Sequence, residues 1–268
     1  MTKFKIRQIS GYEECLDLID KKTKKYTLAY WLHGSRAVDI QHSKSDIDIV
    51  FIVEDDSSKY KLIKKLKTFL SYKKLYDYFN YCYFEYWEYK GKEVGVRIYT
   101  IKDFNQKVYL FFDSVENVIK NQDFVEHVII NSFPIYDSKN ILQKAKEHVL
   151  DYPDNIREKV VQWSLNRVKQ EVDWWNMRTV WLNVFQEMRV VEPLVSEISR
   201  CHYALNKRYY MYSKKHYNND LKRFLPDIEK ELNIVTYCKP ERINNKAKRE
   251  AFTSILNKLN NEFIKQFG

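Results

Sequence analysis

The chain has 268 residues, a formal net charge of +10 and 31% charged residues, a composition that suits two modest domains rather than one large core. No apolar run approaches the ~18 residues that a membrane span requires, and Lys3, Lys5 and Arg7 lead into Gly11-Tyr12-Glu13-Glu14 rather than a secretory apolar segment, so a cytoplasmic protein without a membrane partner is expected. The four cysteines, Cys15, Cys82, Cys201 and Cys238, form no CxxC pair, which excludes the common zinc frameworks and reads as free thiols.

In chain order, Cys15, Leu16, Leu18 and Ile19 supply the apolar face of a helix expected over 11–24, and it leads into a strand over 26–33. A second strand covers 46–53. Ser57 or Ser58 is the expected cap of a lysine-rich helix carrying Tyr60, Leu62, Ile63, Leu66, Phe69 and Leu70. Aromatic and β-branched residues over 81–99 flank Lys90-Gly91 and predict a β-hairpin. Helices follow over 103–112, 114–130 and 140–150, and Pro153 opens a long helical pattern through Val160, Val161, Leu165, Val168 and Val172. That proline marks the expected domain boundary, giving domains 1–150 and 151–268. Pro193 is expected to start another helix, with Tyr203, Tyr209, Tyr210 and Tyr212 at its end.

The chemistry-bearing stretch is Tyr30-Trp31-Leu32-His33-Gly34-Ser35-Arg36-Ala37, then Ser45-Asp46-Ile47-Asp48-Ile49-Val50-Phe51-Ile52-Val53. Strand side chains alternate, so Asp46 and Asp48 share a face at roughly 6.5–7 Å while Ile47, Ile49 and Phe51 point into the core. Two carboxylates on one face of a strand otherwise buried on both call for a divalent cation. Gly34 lets the backbone approach a ligand closely, and Ser35 adds a small hydroxyl and amides for phosphate oxygens.

A hydrophobic strand, Gly34-Ser35, a spacer of about ten residues and then Asp46-Ile47-Asp48-Ile49 resemble the signature of the DNA polymerase beta-like nucleotidyltransferase superfamily. Within it, Gly34-Ser35-Arg36-Ala37 and the segment Asn131-Ser132-Phe133-Pro134-Ile135-Tyr136-Asp137-Ser138 are similar to the kanamycin and aminoglycoside nucleotidyltransferases. The resemblance implies an α+β fold: an N-terminal catalytic domain with a mixed β-sheet flanked by helices, then a C-terminal α-helical domain that reads the acceptor. It implies two Mg²⁺ ions, with ATP or another nucleoside triphosphate as co-substrate. Asp46, Asp48 and a third acid would be catalytic and metal-binding; that acid is Glu88, with Glu85 as the competing choice, since their odd separation sends them to opposite faces. Gly34 and Ser35 would bind the triphosphate with Arg36 as helper, and Glu171 would be the general base.

The expected reaction is transfer of a nucleoside monophosphate to a hydroxyl of a small molecule such as an aminoglycoside-type antibiotic, releasing pyrophosphate. The positive charge is concentrated toward the two ends of the chain, with Lys207-Arg208, Lys214-Lys215, Lys222-Arg223 and Lys246 to Arg249 near the C-terminus. Such a tail leaves a toxin-like or RNA-modifying transferase as the alternative, and a non-catalytic nucleotide-binding module as a third. A homodimer is a further expectation from the resemblance.

Overall fold

The structure, a computed structural model, describes residues 10–37, 45–75, 83–177, 184–210 and 245–268. Tyr212 and the basic stretch from Lys214 to Arg223 lie outside the described residues. Contacts divide the chain into two compact units, residues 1–113 with 124–151, and residues 114–123 with 152–268. The segment 114–123 thus belongs with the second unit, although the sequence boundary at 150/151 assigned it to the first.

The first unit is built on a six-stranded mixed sheet of β1 (Ala29–His33), β2 (Ile47–Val53), β3 (Ser71–Leu75), β4 (Tyr83–Tyr89), β5 (Lys92–Thr100) and β6 (Phe133–Asp137), in the order β3-β4-β5-β2-β1-β6. Only β2 and β5 pair in parallel. Helices α1 (Glu13–Thr23) and α2 (Asp56–Leu66) cover one face. Cys15, Leu16 and Ile19 of α1 and Leu62 and Leu66 of α2 bury there against Leu32, Ile47, Ile49, Phe51, Val96 and Ile98. Removing these side chains from water is the main stabilising term of the unit.

On the opposite face lie α3 (Ile101–Tyr109), α5 (Ile141–Leu150) and a π-helical turn, Val125–Ile130, that continues α4 (Val115–Phe124). The indole of Trp31 reaches this turn, donating from Nε1 to the Val128 carbonyl at 2.8 Å. Phe104 packs edge-on against both Trp31 and Tyr99. Because Ile49, Val50, Phe51, Ile52 and Val53 are all fully buried, β2 is covered on both faces, as its continuous apolar run requires.

Several boundaries differ from the sequence reading for identifiable reasons. Asp55, not Ser57 or Ser58, caps α2, accepting from the Ser58 amide at 2.7 Å. An aspartate at this position satisfies an orphan amide of the first turn as well as a serine does. The first strand begins at Ala29 because Lys24–Tyr26 form a 3₁₀ turn. Lys90 (φ 50°) and Gly91 (φ 77°) make a two-residue hairpin loop with both residues left-handed, a geometry that matches the twist of its strands. Pro193 lies inside α7 (Val184–Leu205) instead of starting it, since a helix continued on both sides can lose one amide hydrogen bond and persist. β6 pairs with β1 where the sequence showed no strand pattern.

The second unit is helical among its described residues, with α6 (Asp154–Met177) packed on α7 and on α8 (Asn245–Phe267). Val160, Val161, Leu165 and Val168 are buried on α6, as are Leu194, Ile198 and Cys201 on α7 and Phe252 and Ile255 on α8. Arg157 ties the three helices together: its guanidinium, 4.4 Å from the Phe267 ring, donates to Asp154 of its own helix and to Gln266 of α8. A third contact reaches the Leu205 carbonyl that ends α7, at 3.4 Å.

Candidate active site

Sheet register decides which side chains share a face. Asp48 of β2 lies opposite His33 of β1 on one side and Gly95 of β5 on the other. Gly95 in turn lies opposite Tyr86 of β4. Paired residues of neighbouring strands point the same way, so His33, Asp48 and Tyr86 form one row across four strands, with Gly95 as its gap. One step along, continuing the β2–β5 register past Ile47↔Val94 sets Asp46 opposite Glu93, and Glu93 lies opposite Glu88. The face carrying Asp48 therefore also carries Asp46, Glu93 and Glu88, while Glu85, one residue before Tyr86, turns to the other face.

Asp48 sits in a cradle made by two glycines. A methyl group built on Gly34 would stand 2.6 Å from Asp48 Oδ2, and one built on Gly95 would collide with Oδ1. At Gly34 the backbone requires glycine as well, because its φ of +74° is in the left-handed region. Ser35 and Arg36 complete the 3₁₀ turn that Gly34 opens, closed by the Ala37 amide donating to the Gly34 carbonyl at 3.1 Å.

The field at this end of the sheet is negative. Burial pushes the Tyr86 phenol far above its ordinary range, and the carboxylates of Asp48, Asp46 and Glu93 push it further, against the opposing Arg97 guanidinium. His33, nearly fully buried, is held neutral by that burial, with Arg97 and His127 disfavouring its cation; its Nε2 has no hydrogen-bond partner.

Arg36 is placed away from a phosphate-gripping role. It is 5% exposed, and Nε donates to the carbonyl of Asp46 at 2.8 Å while Nη2 donates to that of Ser45 at 2.8 Å. Its guanidinium lies 4.6 Å from the ring of Tyr12, whose hydroxyl donates to the Glu93 carbonyl at 3.0 Å. The arginine thus fastens the entry to β2, and with it Asp46, to the turn after β1. Substituting Arg36→Met is expected to lower the unfolding free energy by about 2–3 kcal/mol, because buried carbonyls lose charged donors. Urea unfolding measures this, and Arg36→Lys is not expected to restore it, since an ammonium lacks the planar fork.

Glu88 is half-buried on the Asp48 face, two strands from Asp46, a backbone separation of roughly 10 Å. Glu93 is one strand away and was missed. Its signal was present, for a two-residue loop at Lys90-Gly91 pairs Glu88 with Glu93. Lys73 Nζ lies 3.2 Å from Glu93 Oε2 at the surface, a pair of little energetic weight. Glu171 is half-buried on α6 in the helical unit, beside the buried Val172, and its part as general base rests on the resemblance. The Arg167 guanidinium one turn earlier lies 5.9 Å from the Trp163 ring.

Among the described residues, no group of three or more His, Cys, Asp or Glu side chains is gathered tightly enough to hold a metal ion by itself. Asp46 and Asp48 remain a carboxylate pair on one face, and such a pair suits Mg²⁺, which is held by one or two carboxylates with substrate phosphates and water rather than by an all-protein cage. No helix among the described residues is long and apolar enough to cross a membrane.

A family model described as a domain of unknown function (DUF4037) matches residues 118–215. No curated protein matches the chain in sequence. Among solved structures, the chain is similar to a nucleotidyltransferase-like protein from Exiguobacterium sibiricum 255-15, at 11% identity and a TM-score of 0.44, over 93% of this chain and 74% of that one. It is also similar to the spectinomycin adenyltransferase AAD(9) from Enterococcus faecialis, solved with ATP and spectinomycin, at 14% identity and a TM-score of 0.34, over 92% of this chain and 98% of that one.

Proposed function

We propose that the chain is a nucleotidyltransferase that moves a nucleoside monophosphate from ATP or another nucleoside triphosphate to a hydroxyl of a small molecule, an aminoglycoside-type antibiotic being the first acceptor class, with release of pyrophosphate. The observation that supports this best is the Asp48 carboxylate enclosed between Gly34 and Gly95. Two strands and a turn each give up a side chain to seat one acid, an arrangement of no use to a surface aspartate.

Asp46 and Asp48 would hold Mg²⁺, which supplies charge neutralisation on the triphosphate and on the oxygen that leaves. The chain's own part is positioning. Gly34 brings the backbone close and Ser35 offers a hydroxyl to a non-transferred phosphate. Arg36 and Tyr12 fix the entry of β2, so Asp46 is presented at a constant angle. Glu88 and Glu93 extend the acidic face, and the third-acid role belongs to whichever loses activity as its glutamine variant.

The test is transfer of α-labelled ATP, GTP, CTP and UTP with Mg²⁺ to aminoglycosides, lincosamides and total tRNA, using the full chain. Label on a small hydroxylated compound is the expected result. Label on RNA alone would replace the acceptor class, and triphosphate binding without pyrophosphate release would overturn the catalytic reading.

A further inference from the structure

The two faces of β4 meet different surroundings. Tyr86 and Glu88 face the carboxylates, whereas Glu85 and Trp87 face a cavity of about 580 Å³ between the end of α2 and the edge strand β3, lined also by Lys67, Leu70, Ser71 and Tyr72. Glu85 is 7% exposed and Trp87 fully buried. Even so, Glu85 Oε2 and Trp87 Nε1 are cut off from solvent with no hydrogen-bond partner in the protein. A buried acceptor and a buried donor left unmatched are each costly, and here both stand in the wall of one cavity. The Tyr72 ring, 5.9 Å from that of Trp87 and edge-on to it, adds a second aromatic surface, and Leu70 an apolar one.

The wall describes its complement. A saturated ammonium could donate to Glu85 but would leave the indole unanswered, and a phosphate or carboxylate would be repelled by the glutamate. An apolar ring bearing an N–H donor beside an acceptor satisfies both groups and lies against the rings. We propose that this cavity binds an aminated heteroaromatic ring of the adenine or cytosine type, on the sheet face opposite Asp48.

The test follows the indole Nε1–H resonance of Trp87 in the ¹⁵N-labelled full chain, identified by its loss in Trp87→Phe, during titration with adenosine, cytidine and uridine. Uridine carries a carbonyl where cytidine carries the amino group. The expected result is a saturable shift with adenosine or cytidine, and binding of uridine weaker by about tenfold or more. Glu85→Leu, which exchanges an unmatched buried acceptor for an apolar side chain and so keeps the fold, should weaken the aminated nucleosides by a similar factor. Tyr72→Ala, at an exposed position, should weaken them as well, while Asp48→Asn should leave the shift in place. No saturable shift with either aminated nucleoside, an equal response to uridine, or a shift that survives Glu85→Leu would each overturn the site.

Discussion

Asp48→Asn is expected to reduce nucleotidyl transfer by about 10²–10³-fold or more, the scale on which an enzyme loses a group that stabilises charge in the transition state, while the thermal midpoint does not fall. The substitution preserves shape, so the cradle of Gly34 and Gly95 is still filled. What disappears is one negative charge from a face where Asp46, Asp48 and Glu93 all act on the Tyr86 phenol. Removing a member of a like-charged group relieves repulsion, and sites tuned for chemistry often gain stability when such a charge is neutralised. An amide also binds a divalent ion far less well than a carboxylate, so the loss should not be restored by a tenfold excess of Mg²⁺. Transfer assays beside thermal unfolding read both halves. Unchanged turnover would remove Asp48 from the mechanism, and a collapse of the midpoint would make it a structural acid.

How much of this was legible in the sequence depends on the range of the interaction involved. The Gly34-Ser35 turn, the paired aspartates of β2 and the hairpin around Lys90-Gly91 are local patterns, written within a few residues, and β2 and the hairpin strands stand where those patterns place them. Gly95 was invisible as a functional position because its meaning is a cross-strand one: it becomes the partner of Asp48 only once β5 is known to run parallel to β2. Arg36 was read as a phosphate helper because a basic residue after Gly-Ser faces a ligand by default. Its burial depends on Tyr12 and on the carbonyls of Ser45 and Asp46, partners nine or more positions away. β6 was missed for a related reason, since Phe133–Asp137 contains a proline and no alternation, and only an edge position beside β1 makes such a segment a strand.

Gly95→Ala is the second substitution with a large expected effect, and its outcome turns on a competition of signs. In an ordinary strand, replacing glycine by alanine is favourable by roughly 0.5–1 kcal/mol through reduced chain entropy. At Gly95 the added methyl would collide with Asp48 Oδ1 and stand 3.5 Å from the Tyr86 ring. The aspartate must then leave its rotamer or the strands must part, at an expected net cost of about 1–3 kcal/mol. Because a displacement of about 1 Å in a positioned group can cost on the order of 10²-fold in rate, transfer activity should fall about as far as that even in the folded variant. The origin of the effect is open to a double-mutant cycle with Asp48→Ala. In the Asp48→Ala background the collision is gone, so Gly95→Ala should become neutral or stabilising by the strand-entropy term. Measured by urea unfolding, that reversal of sign would identify the Asp48 carboxylate as the group for which Gly95 is kept bare. A penalty of equal size in both backgrounds would place the constraint on Tyr86 or the strand itself, and would leave the cradle without a functional meaning.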